Sequence, residues 1–274
     1  MKKLIIAAVI AAAAVIVFAI FFLVIPKMHS DECRTRVYED LKERADEVLP
    51  SVIGIVPKTE DAAGNISYGG GGSGIIFKCE GDTYYALTAA HVVRDPAAEY
   101  KVFTALTEYE TVDEQVFEEL GIEVPADGFY ETLANAEVSY ISTKTDLAII
   151  SFRSEDELKI AAFRETDIEK GGRIMCIGCP DGRTFTASFG EITSELKTVT
   201  FKDKGTDYTT TDSVLEHNAY INFGNSGGGA FDEDMKLAGL NTGGAFRLFG
   251  QFECGYIIPC GQLRDFIKEW EDTR

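Results

Sequence analysis

Three side chains have the types needed for nucleophilic catalysis by an activated hydroxyl. They lie in three separate segments: His91 in YALTAAHVV (85–93), Asp146 in KTDLAIISF (144–152), and Ser226 among four glycines in FGNSGGGAF (223–231). A serine becomes an effective nucleophile when an imidazole takes its proton and a carboxylate orients that imidazole. The chain order His, Asp, Ser with these flanking sequences therefore predicts a catalytic set.

Each of these residues also has a simpler interpretation when it is taken alone. His91 fits a core histidine whose hydrogen bonds are satisfied, Asp146 fits a turn-capping aspartate, and the glycines around Ser226 fit a plain hairpin turn. A carboxylate beside Leu-Ala-Ile-Ile must be solvated, capped or paired, because burying an unpaired charge is costly. The catalytic interpretation depends on the three residues acting together.

The segments that would position these side chains are short and rich in β-forming residues. About a dozen such runs, separated by Gly, Asn and Asp, extend from SVIGIVPK (51–58) to CGYIIP (254–259). With almost no helical periodicity between them, they predict an all-β antiparallel sandwich or barrel. A break near Arg153–Thr166 divides the runs into two similar halves.

Helical spacing appears at both ends of the β-rich region. Near the C-terminus, Leu263, Phe266, Ile267 and Trp270 predict a helix over Gly261–Trp270 that packs on the second half. Before Pro50, an apolar stripe predicts a stalk helix over residues 30–50 on the domain surface, with a partner-binding helix as the alternative. The stripe consists of Val37, Leu41, Ala45 and Val48.

The N-terminus contains an apolar run, Leu4–Ile25, without charge or proline. As a helix it would span about 33 Å, close to the hydrocarbon thickness of a bilayer. A cleaved signal peptide is the alternative, but its apolar region is usually only about 7–15 residues long and ends at a small-x-small site, which is lacking here. We expect residues 1–29 to form a cytoplasmic tip and a lipid-bilayer anchor, because Lys2 and Lys3 favour a cytoplasmic N-terminus. The remainder would then lie on the extracytoplasmic side.

Composition restricts the class of partner. The 274 residues are 45% hydrophobic, which suits a large core, and carry a formal net charge of −19. Nucleic acid is not an expected partner, because phosphates are bound by clustered Lys and Arg.

The motifs resemble those of the trypsin-like serine proteases and, among these, the HtrA/Deg branch. The resemblance covers about Ser51–Trp270 and implies a protease domain over residues 51–272, with two six-stranded antiparallel β-barrels at about 51–153 and 166–260. The segments that carry it are Gly72–Val93, Thr145–Ile150 and His217–Phe231, with weaker support from IGCPDG (177–182) and LAGLNTGG…GYIIP (237–259).

The resemblance implies a role for each residue of the catalytic set and polypeptides as the substrate. Ser226 would be the nucleophile, His91 the general base and then acid, and Asp146 the group that holds the imidazole tautomer. The backbone N–H groups of Gly224 and Ser226 would form the oxyanion hole, and glycine at 224 would allow the tight turn. It implies no cofactor and no metal.

The resemblance also locates the substrate groove. Tyr220, rather than a carboxylate, stands six residues before Ser226, so cleavage after small or medium aliphatic residues is expected instead of cleavage after Lys or Arg. The edge at Thr242–Gly244 would accept an extended peptide as an added strand. The implied substrate-binding residues are Tyr220, Ile221, Asn222, Leu240, Thr242, Gly243 and Gly244.

Some features depart from the family pattern. Asn225 replaces the aspartate that, in digestive relatives, pairs with a freed N-terminus, so activation by trimming is not expected. The chain stops at Arg274, where HtrA proteases usually continue into PDZ domains, so control through PDZ domains is not expected either. A homotrimer is implied by analogy only. The acidic stretch Thr107–Glu137 is interpreted as a solvated insert, or alternatively as a segment that covers the cleft.

The six cysteines are Cys33, Cys79, Cys176, Cys179, Cys254 and Cys260. The CIGC spacing at 176–179 permits a redox or zinc interpretation, but proline and more strand follow it, and no second CxxC is present. Structural cysteines with open pairing are therefore expected. Cys254 and Cys260 are unsuitable partners, because about 20 Å of extended strand would separate them.

Two other functions remain open. The same fold could serve as a catalytically silent, membrane-anchored scaffold that binds peptides. It could also hydrolyse esters with the same serine, although α/β-hydrolase esterases need a parallel sheet and helices that this pattern lacks.

Overall fold

The computed structural model describes residues 38–69, 71–107, 130–180, 185–202, 209–247 and 250–274. The predicted anchor Leu4–Ile25, Cys33 and residues 108–129 of the acidic stretch lie outside them. Within the described ranges, no helix is both long and apolar enough to cross a membrane. Contacts divide the chain into two compact units, Met1–Glu43 and Arg44–Arg274, and the second contains every strand found among the described residues.

The prediction of one continuous stalk helix up to residue 50 is wrong. Residues 38–43 are α-helical, whereas the next unit opens with two short 3₁₀ helices, Ala45–Glu47 and Leu49–Ser51. Pro50 lacks a backbone N–H and cannot continue an α-helix. The second 3₁₀ turn is instead closed by the Ser51 hydroxyl, which donates to the Val48 carbonyl at 2.6 Å.

The first sheet closes into a barrel, as expected. Six strands follow one another in the order β1-β3-β4-β7-β6-β5, and β5 pairs back onto β1, while β2 extends β1 at its end. Apolar side chains fill the interior, among them Ile55, Ile76 and Ile150, which are fully buried. The strands are β1 (Val52–Glu60), β2 (Ile66–Tyr68), β3 (Gly72–Glu80), β4 (Thr83–Ala89), β5 (Glu99–Thr104), β6 (Ala134–Ser142) and β7 (Leu147–Arg153).

The second half is an antiparallel sheet of seven strands rather than six, in the order β10-β11-β14-β13-β12-β8-β9. Just after β9, Ile192 forms an isolated antiparallel bridge with His217, the last residue of β11, and the Thr193 N–H donates to the Glu216 carbonyl at 2.8 Å. The expected second barrel is therefore present as a sheet that curls towards closure without a continuous ladder. The strands are β8 (Arg173–Gly178), β9 (Thr186–Glu191), β10 (Lys197–Lys202), β11 (Thr209–His217), β12 (Gly229–Phe231), β13 (Leu237–Phe246) and β14 (Phe252–Pro259).

The C-terminal helix, Cys260–Asp272, contacts both halves. It lies against β13 and β14 of the second half, as expected. Its buried Trp270, however, packs on Phe77 and Tyr85 of the first barrel, with ring centroids 5.7 and 4.9 Å apart. The prediction that this helix packs on the second half is therefore incomplete, because its C-terminal end, with Trp270, lies on the first barrel.

The five described cysteines are free thiols. Burial raises the pKa of Cys176 to about 12, so that its thiol stays protonated and unreactive at neutral pH. The described residues contain no cluster of three or more His, Cys, Asp or Glu side chains that could hold a metal ion.

His217 is buried at the end of β11, and neither of its ring nitrogens forms a hydrogen bond with a described residue. Burial lowers the pKa of His217 to about 4, and the nearby Ala219 backbone opposes this effect only in part. An ordinary histidine has a pKa of about 6.5. The unfolded chain therefore binds more protons at pH values between these two pKa values, and stability must fall as the pH decreases through that window.

We expect His217→Leu to remove this part of the pH dependence. Between pH 7 and pH 4.5 the wild type should lose on the order of 2–3 kcal/mol more of its free energy of unfolding than the variant. Urea titrations at several pH values measure this difference. Parallel pH profiles for the two proteins would show that His217 does not titrate in this way.

Candidate active site

The pairing of β4 with β7 brings His91 to Asp146. Ala89 at the end of β4 pairs with Leu147 at the start of β7. His91 follows in the 3₁₀ turn Ala90–Val92, and Asp146 immediately precedes β7. The Ala90 N–H donates to the Asp146 carbonyl at 3.0 Å, which ties the two strand ends together.

The Asp146 carboxylate is buried and accepts hydrogen bonds from three donors. His91 Nδ1 lies 2.8 Å from Oδ2 and 3.0 Å from Oδ1, and the His91 backbone N–H donates to Oδ1 at 3.0 Å. The Thr242 hydroxyl donates to Oδ2 at 2.5 Å. These bonds compensate for the burial of the charge. A carboxylate only accepts hydrogen bonds, so the neutral imidazole carries its proton on Nδ1 and leaves Nε2 free to act as a base.

Asp146 also has a left-handed backbone conformation, with φ of 48°. Such a conformation is uncommon for residues other than glycine and is often found at functional sites. It turns the chain between β6 and β7 so that both the carbonyl and the carboxylate of Asp146 face the His91 turn.

The loop around Ser226 packs against the turn that carries His91. The Ser73 N–H donates to the Ser226 carbonyl at 2.8 Å. A Cβ added at Gly72 would lie 2.8 Å from the Ser226 carbonyl oxygen and 2.5 Å from Val92 Cγ2. Both the serine and the histidine turn therefore approach the same glycine. The hydroxyl of Ser226 forms no hydrogen bond with His91 or any other described residue; such catalytic bonds often tighten only when substrate binds.

Two backbone N–H groups of this loop donate no hydrogen bond to a described residue. The Asn225 N–H donates to the Asn222 carbonyl at 3.1 Å and the Gly227 N–H donates to the Asn241 carbonyl at 2.7 Å. The amides of Gly224 and Ser226 donate to no described residue. Two unpaired donors that alternate with two paired ones in a tight turn can bind an anionic oxygen.

Only glycine fits at position 224. Its φ is +90°, and a Cβ there would lie 2.5 Å from the Cys179 carbonyl oxygen and 2.8 Å from Pro180 Cα. A glycine is expected here for the tight turn, and crowding by Cys179 and Pro180 is a second reason.

The residues expected in the substrate groove differ in their accessibility. Tyr220 and Asn222 are exposed, and Gly243 and Gly244 are half-buried. Leu240 is fully buried in the sheet, where β13 pairs with both β12 and β14. Its side chain therefore cannot line the groove, which corrects that expectation.

Ile221 and Thr242 also have surroundings that the sequence did not predict. Ile221 is buried, and its Cδ1 lies 3.6 Å from where a Cβ at Gly244 would be and 2.9 Å from where one at Gly255 would be. It fills the space between these two glycines. The Thr242 hydroxyl is committed to Asp146. The sequence LAGLNTGG does not predict this hydrogen bond from Thr242 to Asp146, which joins the two halves of the fold.

Comparisons with known proteins show the family of this chain. Residues 72–240 match the family described as "Trypsin-like peptidase domain". The chain is 34% identical over 128 residues to a probable periplasmic serine endoprotease DegP-like of Rickettsia conorii, covering 46% of this chain and 24% of that protein. It is 26% identical over 245 residues to the serine protease Do-like HtrB of Bacillus subtilis, covering 84% of this chain and 47% of the relative. The chain thus spans between a quarter and a half of these relatives.

A solved structure shows the same fold. The active form of the Rv3671c protease from M. tuberculosis superposes with a TM-score of 0.58 at 20% identity, and the match covers 81% of each chain. At this identity the likeness concerns the fold alone. The family match is independent of it and spans more than half of the sequence. This chain therefore belongs to the trypsin-like peptidase family and, with it, to the serine protease class of hydrolases.

Proposed function

We propose that this chain is an HtrA-type endopeptidase that cleaves unfolded or extended polypeptides with Ser226, His91 and Asp146. The observation that carries the proposal is the buried Asp146 carboxylate, which accepts from both the backbone N–H and Nδ1 of His91. This arrangement fixes a base beside a glycine-rich loop that contains a serine and two amides that donate to no described residue.

In the proposed reaction, Ser226 Oγ attacks the scissile carbonyl carbon while His91 Nε2 takes the hydroxyl proton. The carbonyl oxygen becomes an oxyanion that accepts from the amides of Gly224 and Ser226, and Asp146 stabilises the imidazolium. The C–N bond then breaks as His91 gives its proton to the leaving amine. A water molecule, deprotonated by His91, hydrolyses the acyl-serine, and the proton returns to Ser226 as the acid product leaves.

The surroundings of Ile221 support a preference for small or medium aliphatic residues before the scissile bond. Its side chain occupies the space between Gly244 and Gly255, and Tyr220 brings no charge to attract Lys or Arg. Beyond Leu240, β13 no longer pairs with β12. Gly243 and Gly244 therefore offer an edge to which an extended substrate adds as a strand.

Digestion of unfolded casein by the full chain in detergent tests this activity, together with matched peptide and ester substrates. We expect casein cleavage and faster hydrolysis after Ala or Val than after Lys. Ester turnover without peptide cleavage would indicate an esterase instead.

A catalytically silent peptide-binding scaffold is the second candidate. One observation favours it: the Ser226 hydroxyl forms no hydrogen bond with His91. Casein binding without cleavage by the folded protein would support the scaffold and contradict the endopeptidase.

The proposed location is a membrane, with Leu4–Ile25 as a single-pass anchor, the N-terminus in the cytoplasm and the protease domain outside it. The support is the apolar run itself and the periplasmic relative. Assembly into a homotrimer rests on family analogy alone. Protease added to intact cells should digest the domain, and a domain digested only after lysis would contradict this topology.

A further inference from the structure

Ser73, near the start of β3, contacts the two residues whose amides are proposed to bind the oxyanion. It is fully buried. Its hydroxyl donates to the Gly224 carbonyl at 2.8 Å, and its backbone N–H donates to the Ser226 carbonyl at 2.8 Å. The same hydroxyl accepts the Cys179 N–H at 2.8 Å. Ser73 therefore connects the first barrel to the serine loop and to the segment after β8.

These bonds fix two peptide planes of the loop at both of their ends. In the plane between Gly224 and Asn225, the carbonyl binds Ser73 and the N–H binds the Asn222 carbonyl. In the plane between Ser226 and Gly227, the carbonyl binds Ser73 and the N–H binds the Asn241 carbonyl. Because a peptide unit is planar and rigid, bonds at both ends determine its orientation.

The fixed planes adjoin the two amides that donate to no described residue. The Ser226 N–H lies between the two planes, and the Gly224 N–H immediately precedes the first of them. The peptide unit that carries the Ser226 N–H is also held through its carbonyl, because Asn225 accepts the Gly228 N–H at 2.9 Å. With the planes on both sides fixed as well, the direction of the Ser226 N–H is restricted, and the fixed plane after Gly224 restricts the Gly224 N–H from one side. Oxyanion stabilisation depends on that direction being set before the reaction begins.

The site around the Ser73 hydroxyl is closely packed. A Cβ at Gly178 would lie 2.9 Å from Ser73 Oγ and 2.7 Å from Asn225 Oδ1. The Ser73 carbonyl accepts the Thr88 hydroxyl at 2.7 Å. Loss of the Ser73 hydroxyl would leave the Cys179 N–H and the Gly224 carbonyl without this partner, and the loop would have to move to find another.

We propose that Ser73 is a positioning residue for the oxyanion hole: its hydroxyl and its N–H hold the carbonyls of Gly224 and Ser226, so that the amides of the same two residues point at the reacting carbonyl oxygen. The inference rests on the proposed endopeptidase function. It assigns Ser73 no contact with the substrate.

The test compares Ser73→Ala with Ser51→Ala in the full chain. Ser51 is also buried and donates through its hydroxyl to a backbone carbonyl, that of Val48, but it lies outside the serine loop. The substrate is a fluorogenic peptide with valine before the scissile bond. We expect Ser73→Ala to lower kcat about 10–100-fold with KM within about twofold, because a misdirected donor loses part of its transition-state stabilisation. Ser51→Ala should lower Tm and leave kcat unchanged.

Ser73→Cys keeps a side chain of similar shape but makes it a weaker hydrogen-bond donor, and it serves if Ser73→Ala does not fold. A reduced kcat with unchanged KM is expected for it too. A wild-type kcat in either folded Ser73 variant, or an equal loss of kcat in Ser51→Ala, would overturn the positioning role. If the wild type itself cleaves no peptide bond, the proposed function fails, and this inference fails with it.

Discussion

Ser226→Ala is expected to abolish peptide hydrolysis and to leave the fold unchanged. Without Oγ no acyl-enzyme can form, and removing the nucleophile of such a triad costs about 10⁶ in kcat. The loop itself should persist, because its contacts with Ser73 and Asn241 use the backbone of Ser226 and Gly227. The Ser226 hydroxyl forms no hydrogen bond with a described residue, so the free energy of unfolding should change by less than about 0.5 kcal/mol.

The measurement is kcat for a peptide substrate together with urea unfolding of the same preparations. Ser188→Ala is a matched control, because Ser188 is a half-buried serine on β9, outside the site. It should hydrolyse peptides at the wild-type rate. Residual wild-type activity in Ser226→Ala would mean that another residue is the nucleophile.

Asp146→Asn should lower kcat by about 10⁴, the size of the loss that this change causes in a well-studied Ser-His-Asp enzyme. Three donors converge on Asp146: the His91 N–H, His91 Nδ1–H and the Thr242 hydroxyl. A carboxylate accepts from all three. An amide would place its own N–H₂ against one of them, and an imidazole that accepts from that group carries its proton on Nε2, where it cannot act as the base.

Asp167→Asn is the control for a general loss of carboxylate bonding. Asp167 accepts the Gly261 N–H at 2.7 Å at the start of the C-terminal helix, and its replacement should reduce stability without changing kcat. The dependence of kcat/KM on pH separates the two variants further. The wrong tautomer in Asp146→Asn alters proton transfer by His91 and so changes the pH profile, whereas Asp167→Asn should keep the wild-type profile. A nearly neutral Asp146→Asn would mean that another carboxylate orients His91.

The three residues of the proposed catalytic set could be selected as candidates from the sequence, because each lies in a short segment with distinctive neighbours. The short β-rich runs could also be predicted from local patterns, whereas the order in which the strands pair could not, because it depends on contacts between segments that are distant in the sequence. The bonds of Ser73 and Thr242 could not be predicted in this way. Each hydroxyl acts across the two halves of the fold, and a serine or threonine in a strand gives no local sign of a partner about a hundred or more positions away.

Two other differences concern the helices. The apolar stripe before Pro50 predicts a helix. That its last residues form 3₁₀ turns instead depends on how the chain enters β1 at Val52, which the stripe does not indicate. The C-terminal helix was predicted with nearly correct bounds. Its packing on the first barrel depends on Trp270 reaching Phe77 and Tyr85, which are far away in sequence.

Labelling of the full chain with a fluorophosphonate, followed by mass-spectrometric mapping of the adduct, tests the central claim most directly. The reagent phosphonylates a serine only when a neighbouring base activates it. The catalytic assignment predicts one adduct, on Ser226, which is lost in His91→Ala. A folded protein that remains unlabelled, or that is labelled at another residue, would contradict it.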